Sequence, residues 1–77
     1  MWYHQELTPG QLTALLKNRT ISLAGNRVLR IYGTLGCKSG KRMQIKNRVF
    51  FISEKEALDK GYRPCGHCLK HHYQSWI

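Results

Sequence analysis

Cys65-Gly66-His67-Cys68 sets two thiols on either side of a two-residue turn, and a third thiol, Cys37, stands far upstream. The C-x2-C spacing lets two thiolates converge on one tetrahedral ion at about 2.3 Å from zinc, while amides of the turn donate to the sulfurs. An odd number of cysteines cannot all pair within one molecule, and a reducing compartment would keep them as thiols or thiolates in any case. A thioredoxin-like redox pair has the same spacing, but it needs a βαβ setting with a helix opening at the motif, and none precedes Cys65. Metal binding is the remaining reading, and it constrains the fold. A chain of 77 residues offsets chain entropy only narrowly by apolar burial, at roughly 1.5 kcal/mol lost per ordered residue, so a staple is expected.

If Cys37 folds back onto the knuckle, three zinc ligands are cysteine: Cys37, Cys65 and Cys68. Closed zinc sites take four ligands. His71 lies three residues beyond Cys68, on its face if a helix begins there, and is the first choice for the fourth position. His67, inside the knuckle, is the alternative. Either imidazole also reads as an exposed or packing side chain, so the fourth ligand stays open.

Local signals outline a small α+β domain. Thr8, Pro9 and Gln11 supply a hydroxyl cap, a first-turn proline and a side chain that reaches back, and Leu12, Leu15 and Leu16 share one face, predicting a helix over about residues 9 to 18. Thr20–Leu23 alternates, Ala24-Gly25-Asn26 has turn chemistry, and Val28–Tyr32 is rich in β-formers, which reads as a hairpin. Val49–Ile52 is an apolar run too short for a helix, read as a strand buried on both faces. Ser53 and Glu56 have capping-box spacing, Gly61 suits a left-handed helix end, and Arg63-Pro64 returns the chain to an extended path. A final helical turn from Lys70 would let Tyr73 and Trp76 pack back on the domain. The expected architecture is a zinc-stapled α+β fold, with a short antiparallel sheet flanked by helices, in one domain over residues 1–77.

Charge points to a partner. Thirteen Lys and Arg against four Asp and Glu give a net charge of +9, and no acidic residue lies between Leu7 and Ser53. Polyanions are the natural partners of such a surface, nucleic acid first. The glycine-containing stretch from Gly33 to Lys46 carries Cys37 among basic residues and reads as a functional loop. Lys38, Lys41, Arg42, Lys46, Arg48 and Arg63 are the candidate phosphate contacts. No stretch approaches the roughly 18 apolar residues of a membrane span, and the N-terminus lacks the pattern of a signal peptide. A cytoplasmic monomer bound to DNA or another nucleic acid is expected, with no membrane association.

The run Asn47-Arg48-Val49-Phe50-Phe51, then Glu56-Ala57-Leu58, then Gly61-Tyr62-Arg63-Pro64-Cys65 and Cys68 resembles the metal-binding domain of the Ada DNA repair protein, most strongly over residues 30 to 70. The resemblance implies a zinc-binding α/β fold with a small sheet. It also implies a zinc-bound cysteine that removes a methyl group from a DNA phosphotriester, a role that would fall to Cys37 because Cys65 and Cys68 match the family's structural pair. The family's loop runs C-x3-C, whereas Cys37-Lys38-Ser39-Gly40-Lys41 puts lysine at the second cysteine's place. Aligned with the first family cysteine, Cys37 keeps the methyl-accepting role; aligned with the second, it loses it. Three readings follow: a zinc module that docks on DNA, a methyl-accepting repair protein, and a structural zinc module for protein contact.

Overall fold

The computed structural model describes residues 1–37 and 43–77. Thr8 caps the first helix, α1 (Pro9–Lys17), in a complete capping box: its hydroxyl accepts from the Gln11 N–H at 3.1 Å, and the Gln11 side-chain oxygen accepts from the Thr8 N–H at 2.9 Å. The helix stops at Asn18, as its sequence implies. Leu12 and Leu15 turn toward the sheet, while Leu16 remains 42% exposed at the edge of the apolar stripe.

Five short strands form one sheet: β1 (Trp2–Tyr3), β2 (Leu23–Asn26), β3 (Ile31–Thr34), β4 (Arg48–Phe51) and β5 (Arg63–Pro64), in the order β1-β4-β2-β3-β5. Three of the pairings are antiparallel, but β5 joins β3 in parallel, so the sheet is mixed. Two short helices, α2 (Glu54–Asp59) and α3 (Lys70–Trp76), complete the α+β fold.

The hairpin lies three residues downstream of where turn chemistry alone puts it. Ala24-Gly25-Asn26 is strand, and the chain reverses over residues 27–30. Asn26 decides this: its side-chain oxygen accepts from the Val28 and Leu29 N–H groups at 2.9 and 3.1 Å, closing an Asx turn after it. Gly25 belongs in the strand for a packing reason, since a Cβ there would stand 2.8 Å from the Phe51 ring.

Strand β4 is buried on both faces, as its apolar run implies: Val49 and Phe51 are 0% exposed and Phe50 is 2% exposed, whereas Ile52, read as part of the same strand, lies past its end and is 50% exposed. Alternate residues of a strand point to opposite sides. Val49 and Phe51 therefore enter one core with Tyr32, Ala57 and Tyr62, and Phe50 enters the other with Ile21 and Ala24. Each such side chain contributes roughly 1.5–3 kcal/mol of transfer free energy.

Ser53 caps α2 by accepting from the Glu56 N–H, but the Glu56 carboxylate accepts from the Ile52 N–H rather than that of Ser53, so only half of the capping box forms. Gly61 follows with φ +84°, in the left-handed region. In α3, Tyr73 packs back on the fold against Gly66, but Trp76 stacks on Tyr73 and stays 51% exposed.

Candidate metal centre

Strand register builds the site. Residues opposite one another in adjacent strands share a face, so Trp2, Phe50, Ala24 and Gly33 form a row across one side of the sheet. Side-chain volume falls along that row, from Trp through Phe and Ala to Gly. The space vacated at Gly33 is where the sulfurs stand: a Cβ built there would lie 2.7 Å from Cys68 Sγ, 3.3 Å from Cys65 Cβ and 3.9 Å from Cys37 Cβ.

The parallel β3–β5 pair brings the three cysteines together from distant points in the chain. Ile31 opposes Arg63 and Tyr32 opposes Pro64, so the two strands end on the same side. A turn after Thr34 delivers Cys37, whose N–H donates to the Thr34 carbonyl at 3.2 Å. Cys65 follows Pro64 directly, and its N–H donates to the Tyr32 carbonyl at 2.8 Å, extending the ladder by one bond. The Leu69 N–H then closes the knuckle on the Cys65 carbonyl at 3.0 Å, which swings Cys68 back over Gly33.

The sulfurs of Cys37, Cys65 and Cys68 all lie within 4.8 Å of one another. Ligands in a tetrahedral site with Zn–S bonds of about 2.3 Å stand about 3.8 Å apart, so a small inward movement would complete the coordination. Two amides already point at sulfur: the Thr34 N–H donates to Cys68 Sγ at 3.3 Å, and the His67 N–H donates to Cys65 Sγ at 3.4 Å. Such donors spread thiolate charge and orient the ligands. Burial pushes the Cys68 thiol above its ordinary range; the Thr34 amide opposes that shift and a hydrogen bond with Cys37 adds to it. A divalent cation overrides such a shift by binding the thiolate directly.

No histidine belongs to this group among the described residues. His67 and His71 are both exposed, the first at the tip of the knuckle and the second in α3. Tyr73 is the α3 side chain that packs on the knuckle's Gly66. The next histidine, His72, faces Glu54 across 3.6 Å.

A family model described as the metal binding domain of Ada matches residues 19–70, more than half of the chain and including all three cysteines. The chain belongs to the Ada metal-binding family. No curated protein and no solved structure matches it. Family and geometry agree on the ion: the Ada-type domain binds zinc, and its three thiols are placed to hold it.

The candidate phosphate contacts of this Ada-type domain divide into three groups. Lys38, Lys41 and Arg42 lie outside the described residues. Lys46 is exposed on a 3-10 turn over Ile45–Asn47. Arg48 and Arg63 flank one sheet row, opposite Asn26 and Ile31 respectively, on the face that carries Gly33 and the sulfurs. Both are half-buried. The Arg48 guanidinium lies 5.3 Å from the Phe50 ring centroid and donates to the Leu35 carbonyl at 3.4 Å, while that of Arg63 lies 5.3 Å from the Tyr73 ring.

On the same face a cleft of about 290 Å³ runs over the small residues Ala24 and Gly33, between Leu29 and Met43, to Cys37 and Cys65. Cys37 is 7% exposed, yet it lines this cleft. The sequence marks the glycine-containing stretch around Cys37 as a functional loop, but not the Thr34 amide or the cleft, since both depend on a parallel strand pairing that has no local signature.

Proposed function

We propose that the domain docks on DNA through the sheet face that carries the metal centre, with Cys37, Cys65 and Cys68 as zinc ligands. The observation that supports this is the sharing of one face by three sulfurs, the cleft that reaches them, and Arg48 and Arg63. Zinc with three thiolates carries a net charge of about −1, so cationic neighbours are needed if a phosphate is to approach. Lys46, with Lys38, Lys41 and Arg42 in the neighbouring stretch, would add the charge that draws a polyanion in. The fourth zinc position falls to His71 or, failing that, to His67, after movement of the knuckle.

Fluorescence anisotropy with a blunt duplex bearing 5′-hydroxyl ends tests the reading. Affinity should fall with added salt at a log–log slope of about 0.9 per neutralised phosphate, and Arg63→Gln should weaken binding while leaving zinc content unchanged. Absence of binding at low salt, or salt-independent binding, contradicts it.

The cleft supports a second reading, in which Cys37 accepts a methyl group. Bound zinc would keep the thiol deprotonated at neutral pH. The Cys37 sulfur would attack the methyl carbon of a neutral phosphotriester. A C–S bond forms, the C–O bond breaks, and its electron pair leaves on the phosphate oxygen as a phosphodiester anion. No other reagent is consumed, and the protein reacts once. Mass spectrometry after incubation with methylphosphotriester DNA should find one added methyl group on a peptide containing Cys37. Unmodified protein beside a reactive control excludes this reading without touching the first.

A further inference from the structure

The parallel β3–β5 pair has two ends, and the end remote from the sulfurs is also built. Arg27, Val28 and Arg30 of the β2–β3 turn, with Tyr3, Tyr62 and Met1, line a cleft of about 250 Å³. Tyr3 and Tyr62 lie on the side of the sheet opposite Gly33, with the Tyr32–Val49–Phe51 core. This cleft is therefore separate from the proposed DNA-docking face.

Its two guanidiniums are held in place. Arg27 Nε donates to the Lys46 carbonyl at 2.8 Å and the guanidinium lies 5.7 Å from the centroid of the Tyr3 ring; Arg30 Nη1 donates to the Lys60 carbonyl at 3.4 Å and its guanidinium lies 5.5 Å from that of Tyr62. Each retains further donors. The turn between them is closed by Asn26, and Arg30 adopts φ +58°, a left-handed conformation costly for a residue with a Cβ. Both arginines line the one cleft, each over one of its two tyrosine rings. No carboxylate lines the cleft, and among the described residues neither guanidinium has an acidic partner within ion-pair distance. Two like charges fixed at one small cleft without a counter-charge favour an anion between them.

We propose that this cleft binds a phosphate monoester through Arg27 and Arg30, as carried by a nucleotide or by the 5′ end of a DNA strand. Two uncompensated guanidiniums match a monoester, which carries close to two negative charges at pH 7, better than a diester, which carries one. Guanidinium forks also fit phosphate oxygens in pairs. Val28, 66% exposed at the rim, gives an apolar surface to the sugar or base that follows the phosphate.

The test titrates the zinc-loaded protein with adenosine 5′-monophosphate, with a 5′-phosphorylated single-stranded oligonucleotide, and with the same strand ending in a 5′-hydroxyl. Calorimetry gives the affinity, and NMR follows the Arg27 and Arg30 Nε–H signals. Saturable binding of a monoester, with both signals shifting, is expected. Arg27→Gln or Arg30→Gln should weaken it at least tenfold with zinc content unchanged, and Arg30→Lys, which keeps the charge but not the fork, should weaken it less. Binding of the nucleotide alone identifies a free metabolite as the source, and binding of the phosphorylated strand alone identifies a strand end. Absence of binding to both, equal binding of the two strand ends, or an unchanged affinity in Arg30→Gln with its zinc intact overturns the proposal. The blunt 5′-hydroxyl duplex of the docking experiment carries no monoester, so each proposal fails by itself.

Discussion

The middle of the sheet and its β3–β5 edge are held together by different means. Strand β4 sits between two apolar cores and has Val49, Phe50 and Phe51 almost wholly out of water. At the edge, Gly33 contributes no side chain, Cys65 and Cys68 are only half-buried, and what converges there is sulfur. Apolar packing orders the first region, and a metal is needed to order the second, because thiols alone offer little cohesion. The volume gradient from Trp2 to Gly33 links them: the same row that fills the middle of the sheet empties toward the ion.

Removing zinc should have the largest effect, since metal binding in small domains supplies on the order of 10 kcal/mol of folding free energy. After chelation, amide-exchange protection is expected to disappear at Thr34 and also at Val49 and Phe51. Protection that survives at β4 alone would show that the packed middle stands without its edge. From the other side, Phe51→Ala should cost about 3–5 kcal/mol, read as a lowered thermal midpoint of the zinc-loaded protein. A loss well under 1 kcal/mol would show that the core is not where stability resides.

Gly33→Ala targets the edge directly. The added methyl group would meet the Cys68 sulfur at 2.7 Å, so competition with a chromogenic chelator should show zinc affinity lowered roughly 10- to 100-fold, the range seen when groups supporting a metal ligand are disturbed. Unchanged affinity would mean that the sulfurs lie elsewhere when zinc is bound.

Smaller effects come from the packed region. Burial raises the Tyr32 phenol far above its ordinary value, reinforced by the hydrogen bond it donates to Glu54 at 2.9 Å, and burial also raises Tyr62. For a phenol raised in the folded state, the unfolded chain releases its proton first. Stability should therefore be level below about pH 10, the ordinary tyrosine value, and decline as pH rises above it. Denaturation at pH 9 and pH 11 measures the decline, and Tyr32→Phe should flatten it. Ser53→Ala, which removes the α2 cap, should cost about 0.5–2 kcal/mol.

Much of the packed region was legible in the sequence because its signals are local. The Thr8 box, the stop at Asn18, the apolar run of β4 and the left-handed Gly61 each depend on neighbours within a few residues. The errors arose where distant residues decide. Gly25 looks like a turn residue until Phe51 is packed against it, and Glu56 looks like half of a capping box until the Met1 ammonium stands 3.2 Å from its carboxylate, which accepts from Ile52 rather than Ser53. Strand β1 is too short to announce itself and exists only through pairing with β4. At the metal centre the reverse holds: thiol chemistry named Cys37, Cys65 and Cys68 as partners, whereas the parallel pairing that unites them leaves no local trace. Histidine spacing depended on where α3 begins. That helix starts at Lys70, leaves His71 exposed and places Tyr73 against Gly66 of the knuckle.

X-ray absorption at the zinc edge, on purified reduced protein, tests the central claim most directly. Three sulfur neighbours at about 2.3 Å with one lighter nitrogen or oxygen ligand are expected, and Cys37→Ser should lower the sulfur count by one. A spectrum that requires only two sulfurs, or one unchanged by that substitution, would contradict a centre built from both strands of the β3–β5 edge.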